Sequence, residues 1–331
     1  MKPLKKVYLL GAAMLAICFL IPILGTIPFE EKEENKVEND VIENNYDYKA
    51  YSMIKVLHSK TNEIEEMKLD DYLYGVVSAE MPADFEMEAL KAQALVARTY
   101  TIYKIIHNEN KHGEAAICDD STCCQAWISK EDRLAKWDEA VRQSNWEKIV
   151  KAVDETQGKM ITYQGEPINA FFHSNSGGET EAPVNVWGGT GYPYLQSVQT
   201  AGEDAYTQYA SSATFTKVEL EEKIKAKHPE FSIDWNLEDS IQILEYTEGQ
   251  RVKTIKMGNL NLSGVEVRTL LGLRSANFSF SIQGDQITFE VKGYGHGVGM
   301  SQTGADSLAK QGNNYEQIIH HFYTDVEIVN M

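Results

Sequence analysis

The sequence predicts an α+β fold, with mixed helices and antiparallel hairpins forming two lobes around a cleft, behind an N-terminal transmembrane helix. Three observations predict it. Helical and hairpin patterns interleave along residues 50–331 without a regular βαβ order. The 331 residues are 43% hydrophobic, an ordinary globular composition that excludes a disordered or collagen-like chain. An uncharged run of 23 residues, Val7 to Phe29, precedes the folded part. With 31 Lys+Arg against 49 Asp+Glu the net charge is −18, which argues against nucleic acid as a partner, because phosphates need a surplus of Lys and Arg. Four cysteines are too few for a disulfide scaffold.

The elements follow in order. Residues 1–6 form a cytoplasmic tail with Lys2, Lys5 and Lys6. The run 7–29 is long enough to cross a hydrocarbon core of about 30 Å as a helix. The Lys excess before it keeps the N-terminus cytoplasmic and sends the rest across, a single-pass cell-membrane protein with an extracytoplasmic domain. The rival reading is a cleaved signal peptide, but residues 23–29 offer no small-residue cleavage site. Residues 30–48 are an acidic linker, too poor in large apolar side chains to fold. The domain then spans 49–331, with a charged inserted lobe at about 203–258.

Within the domain, Met53–Leu57 and Ile64–Met67 flank a Ser-Lys-Thr-Asn turn and read as a hairpin. Asp70 or Asp71 caps a short helix through Tyr72, Leu73, Val76 and Val77, ending before Pro82. Glu88 to about Ile106 is the strongest helix, Ala-rich and free of Gly and Pro. Two further hairpins are read at Lys159–Tyr163/Ile168–Phe172 and Phe278–Ile282/Gln286–Lys292. Thr216–Lys227, Gln302–Lys310 and Tyr315–Phe322 read as helices.

Glu80 is the first chemical candidate. It ends the short helix, where the negative end of the helix dipole disfavours a carboxylate. Its apolar neighbours Val76, Val77 and Met81 raise its pKa further by desolvation. A carboxyl protonated near neutral pH is what a general acid requires, although a lone Glu is most often an ordinary surface group. The segment Gly293–Ala305 carries five glycines in its first twelve residues, with His296 and Gln302 able to hydrogen-bond a polar ligand. It is neither a P-loop nor a dinucleotide loop, and a structural turn is its rival reading. His173, Ser174, Ser176 and Gly177 form a polar loop fit to line a cleft, without a nucleophile elbow. Cys18 lies in the apolar run, whereas Cys118, Cys123 and Cys124 cluster after His112. His112 and these three thiols supply four ligands for a tetrahedral zinc; the alternative is one disulfide plus a free thiol. Four protein ligands leave no open position, so such a zinc is structural.

Together the anchor, Ala-Glu-Met-Pro (79–82), Ala-Arg-Thr-Tyr (97–100), His-Ser-Asn-Ser-Gly-Gly (173–178), Pro-Tyr-Leu-Gln-Ser-Val (193–198), Leu-Arg-Ser (273–275) and Gly-His-Gly-Val-Gly-Met-Ser-Gln (295–302) resemble the stage II sporulation protein D family. These are lytic transglycosylases of endospore formers, related to amidase-enhancer proteins. The resemblance covers nearly all of residues 50–331. It implies cleavage of peptidoglycan strands between MurNAc and GlcNAc without water, leaving 1,6-anhydroMurNAc ends, on strands stripped of stem peptides, during engulfment. A sporulation amidase and a membrane scaffold protein are the implied partners, and the mother-cell septal or engulfing membrane the implied location. Glu80 matches the catalytic Glu, and Arg98 and Tyr194 match positions implicated in activity. The cysteine cluster matches a zinc site of some members; this chain departs from them at Cys123, where they carry His. A non-catalytic peptidoglycan-binding amidase activator is the alternative reading. The acidic domain is taken to suit uncharged, peptide-stripped glycan better than an acidic polymer.

Overall fold

The computed structural model describes residues 46–107 and 111–331. The cytoplasmic tail, the apolar run and linker residues 30–45 lie outside the described residues. Among the described residues no helix is long and apolar enough to cross a membrane.

The first hairpin forms as read: β1 (Met53–His58) pairs antiparallel with β2 (Glu63–Lys68). Helix α1 (Leu69–Glu80) follows directly. Its N-cap is Lys68, without a side-chain cap, so Asp70 and Asp71 do not cap it but sit in its first turn. There they face the positive end of the helix dipole. Asp70 also accepts the Tyr48 hydroxyl at 2.6 Å, which docks the end of the linker onto the domain.

Helix α2 (Met87–Ile106) is the central pillar. It is buried from Ala92 to Ile102, which only a helix built largely of small and apolar side chains can tolerate. Strand β3 (Ile117–Cys118) joins β1 in parallel. Helices α3 (Lys130–Lys136) and α4 (Arg142–Asp154) follow. The charge-rich sequence hides α4, but Trp146, Ile149, Ala152 and Val153 recur at helical spacing and pack inward. Strand β4 (Lys159–Tyr163) pairs only briefly with β5 (Glu166–Pro167). The second hairpin is therefore a correction. The Ile168 N–H still reaches the Ile161 carbonyl at 3.2 Å, but residues 169–171 leave the ladder, and β6 (Phe172–His173) pairs elsewhere. The main partner of β4 is the C-terminal strand β14.

After the short helix α5 (Pro183–Trp187), strand β7 (Ala210–Thr216) leads into α6 (Lys217–Lys225), closed by a capping box between Thr216 and Glu219. Strands β8 (Ile241–Tyr246), β9 (Val252–Met257) and β10 (Leu260–Ser263) form an antiparallel sheet followed by α7 (Gly264–Leu271). Strands β11 (Phe278–Gln283) and β12 (Gln286–Lys292) form the third hairpin as read, and β7 adds to its edge. Strand β13 (Met300–Ser301) pairs in parallel with β6. Helices α8 (Gln302–Lys310) and α9 (Tyr315–Phe322) and strand β14 (Glu327–Asn330) complete the chain.

The architecture is mixed α+β with largely antiparallel sheets. Two hydrophobic cores form within it. One gathers around α2. The other runs from Leu220 to Val291, beyond the charged stretch at 203–258.

Candidate active site

Glu80 ends α1 where Pro82 stops the helix two residues on. It opens on a cleft of ≈ 530 Å³ lined by Ala79, Pro82, Ala83, Asp84, Arg133, Trp137, Asn145 and Gln208. This cleft is walled by the end of α1, by α3 and α4, and by Gln208, rather than by the two cores. Its carboxylate is held at both oxygens. Oε1 accepts the Ala126 N–H at 2.6 Å, and Oε2 accepts the Gln302 amide at 3.2 Å. Burial raises its pKa, and the bonds from Ala126 and Gln302 only partly oppose that rise.

Two segments hold this arrangement. Trp127, next to Ala126, lies so close to α1 that a Cβ on Gly75 would come within 2.3 Å of its indole nitrogen. Only glycine admits that contact. Gln302 is delivered by the glycine-rich segment, which packs against the polar loop. Asn175 and Tyr294 exchange backbone bonds at 3.0 and 2.7 Å. Gly297, at φ +87°, leaves room for the Arg251 guanidinium, which a Cβ would meet at 2.2 Å.

Of the residues expected to bind substrate, only Gln302 touches Glu80. His173 is buried and donates through Nδ1 to the Val298 carbonyl at 3.1 Å. Burial, with Arg251 nearby, lowers its pKa to about 3, so it is neutral. His296 lies with its ring centroid 5.7 Å from that of His173 and accepts the Val298 N–H at 3.0 Å. Ser174 receives Thr303 on its carbonyl at 3.1 Å. Ser176 is fully buried, and Gly177 borders a second cleft of ≈ 550 Å³ with Tyr209, Tyr246 and Lys292. None of these five lines the cleft of Glu80.

The polar loop serves Glu203, a buried carboxylate that no motif marked. Its buried carboxylate accepts Ser176 Oγ and Ser301 Oγ in short bonds, Thr200 Oγ1 at 2.6 Å, Thr303 Oγ1 at 3.0 Å, and the Ser176 and Gly178 N–H groups at 3.0 Å each. Burial alone would raise its pKa, but the bonds from Ser176, Ser301 and Thr200 outweigh burial and hold it below the usual carboxylate value. It ties the polar loop to the residue before Gln302. A depressed pKa contributes stability above the unfolded value of about 4.3, lost as pH falls through the folded pKa. Glu203→Gln is expected to lower unfolding free energy by roughly 2–4 kcal/mol at neutral pH and to flatten the acid limb of stability against pH, read by urea titration.

Arg98 and Tyr194 lie outside the cleft. Arg98 is fully buried and donates to the Thr156 carbonyl at 2.7 Å and the Val153 carbonyl at 3.1 Å, with Asp70 at 3.7 Å. It closes the C-terminal end of α4 beside the start of α1, whereas Glu80 is at that helix's far end. At about 1.5 Å per residue the two ends are roughly 15 Å apart. An arginine without solvent access cannot touch a glycan strand, so direct catalysis by Arg98 gives way to a scaffold role. Arg98→Met is expected to lower stability by roughly 2–5 kcal/mol in denaturant unfolding, with activity lost in proportion to the folded fraction. Tyr194 is likewise buried, its hydroxyl accepting the Asn169 N–H at 2.9 Å.

His112, Cys118, Cys123 and Cys124 converge, their ligand atoms all within 4.8 Å of one another. His112 Nε2 lies 3.4 Å from Cys124 Sγ and 3.7 Å from Cys123 Sγ. A tetrahedral zinc, with bonds of about 2.3 Å to sulfur and about 2.0 Å to nitrogen, sets such edges at roughly 3.5–3.8 Å, so the residues fit the metal. All three thiols are free, against the disulfide alternative.

Sequence comparison follows the same regions. A family described as Stage II sporulation protein matches residues 57–163, which include Glu80 and the cysteine cluster. Stage II sporulation protein D of Bacillus amyloliquefaciens is 36% identical over 277 residues, covering 83% of this chain and 78% of that protein. The chain belongs to the stage II sporulation protein D family. The Bacillus subtilis (strain 168) member is 33% identical over 98% of this chain and 96% of its own length. An amidase enhancer of the same organism is 32% identical over 76% of this chain and 39% of its own length.

Proposed function

We propose that the protein is a membrane-anchored lytic transglycosylase of sporulation, cutting MurNAc–GlcNAc bonds of peptide-stripped peptidoglycan strands during engulfment. One observation carries the reading. Glu80 is a desolvated carboxyl with a raised pKa, open to a cleft and touched by no cation among the described residues.

The chemistry uses this group twice. Oε1 is committed to the short Ala126 bond, so Oε2 carries the proton of the acid form. Glu80 passes that proton to the glycosidic oxygen as the C1–O bond breaks. The resulting carboxylate, steadied by Ala126 and Gln302, takes the proton of the sugar's C6 hydroxyl. The C6 oxygen then bonds to C1 and closes the 1,6-anhydro ring. Glu80 ends protonated, and no water is consumed. A hydrolase would need a second carboxylate to activate water.

Zinc bound by His112, Cys118, Cys123 and Cys124 is proposed as a structural staple. It would cross-link a segment with little regular structure and fix Ala126, two residues beyond Cys124. The apolar run 7–29 supports anchoring with the domain outside the cell. An amidase and a membrane scaffold protein remain the proposed partners.

The similarity to an amidase enhancer favours one second reading, a glycan-binding amidase activator without its own chemistry. Incubating the purified protein with denuded glycan strands separates the two. The enzyme releases soluble anhydro-ended fragments unaided, whereas an activator releases none.

A further inference from the structure

Arg133 is the one strongly basic side chain lining the cleft of Glu80. Among the described residues it forms no ion pair and no side-chain hydrogen bond. Its guanidinium stacks on the Trp137 ring at 4.6 Å, and its Nε–H is buried without an acceptor. Burial lowers its pKa, yet an arginine stays charged. The cleft's two carboxyls do not neutralise it: Glu80 is engaged by Ala126 and Gln302, and Asp84 forms no ion pair with it. A partly desolvated, preorganised, unpaired guanidinium is matched by a carboxylate, which it can grip with two parallel N–H bonds.

The substrate class supplies that anion. In an intact strand the lactyl group of MurNAc is joined to the stem peptide through an amide. Hydrolysis of that amide, with one water added, leaves a free lactyl carboxylate on the sugar and an amine on the peptide. A stripped strand is therefore not neutral, as taken from composition, but carries one negative charge per MurNAc. We propose that Arg133 reads this carboxylate and thereby selects strands whose peptides have been removed. The proposal rests on the glycan-cleft reading above. Trp137 holds the guanidinium plane, and Asn145 and the Gln208 amide N–H groups remain available for neutral sugar groups.

The test measures affinity rather than cleavage. Full-length Glu80→Gln protein in detergent is titrated with a GlcNAc–MurNAc oligosaccharide bearing free lactyl carboxylates and with its lactyl methylamide. The expected result is a preference of about 10- to 100-fold for the carboxylate form, falling at least tenfold when Arg133→Gln is added and partly restored by Arg133→Lys. A purely structural Arg133 would lower both affinities together and leave their ratio intact. Equal affinities before the Arg133 change, binding of neither oligosaccharide, or a ratio that survives Arg133→Gln overturns the proposal. Failure of the wild-type protein to cleave strands would remove the lytic reading without touching this ratio, so the two are separable.

Discussion

Replacing Glu80 by Gln is expected to reduce release of anhydro-ended fragments by about 10²–10⁴-fold while leaving the fold intact. The amide is nearly isosteric, its oxygen can still accept the Ala126 N–H, and Gln302 can turn its own amide oxygen to the new NH2, so unfolding free energy changes little. What it lacks is a transferable proton. The pH profile carries the same signature. Glu80 must be protonated to start the reaction, and its pKa is raised by burial. Activity should therefore persist above the pH at which exposed carboxyls have ionised, and fall as pH rises through the raised value. Gln302→Leu removes a bond that lowers that pKa. It should shift this limb upward, as read from kcat against pH.

The second large effect is expected from the metal cluster. Cys124→Ser, or treatment with a strong chelator, should lower the melting temperature and the activity together. Structural zinc contributes about 10–16 kcal/mol of apparent binding energy in small domains, and here part of that would be coupled to folding. The link to activity is geometric. Cys124 lies two residues before Ala126, whose N–H holds Glu80 Oε1, and three before Trp127, which fits against Gly75. Releasing the staple loosens both contacts. Loss of activity with an unchanged melting temperature would instead indicate a metal acting in the chemistry.

Much of the fold and part of the site are legible in the sequence. The first and third hairpins carry clear turn signals between β-rich runs, and α2 announces itself by composition. Glu80 could be picked out because its position at a helix end beside apolar residues already implied a raised pKa. The convergence of His112 with three cysteines was legible from spacing. The rest depends on partners distant in sequence. Nothing within residues 159–172 shows that β4 pairs mainly with β14, some 165 residues away. Glu203 becomes a hub only when three segments meet, and its own neighbourhood reads as a charged loop. Arg133 stands out only because no acid reaches it, which sequence does not record. Arg98 illustrates the reverse limit. A motif can mark a residue as necessary without saying whether it touches substrate or, as here, carbonyls of a buried helix end.

The central claim is that one carboxyl serves both proton transfers and that the sugar's own hydroxyl replaces water. Digestion of denuded strands in heavy-oxygen water tests it most directly, with the mass of the new MurNAc ends as the readout. The account predicts ends one water lighter than hydrolysed ends, with no heavy oxygen incorporated, and at least about a hundredfold fewer new ends with Glu80→Gln. Ends that gain heavy oxygen at C1 would contradict it and require a second group in the cleft to activate water.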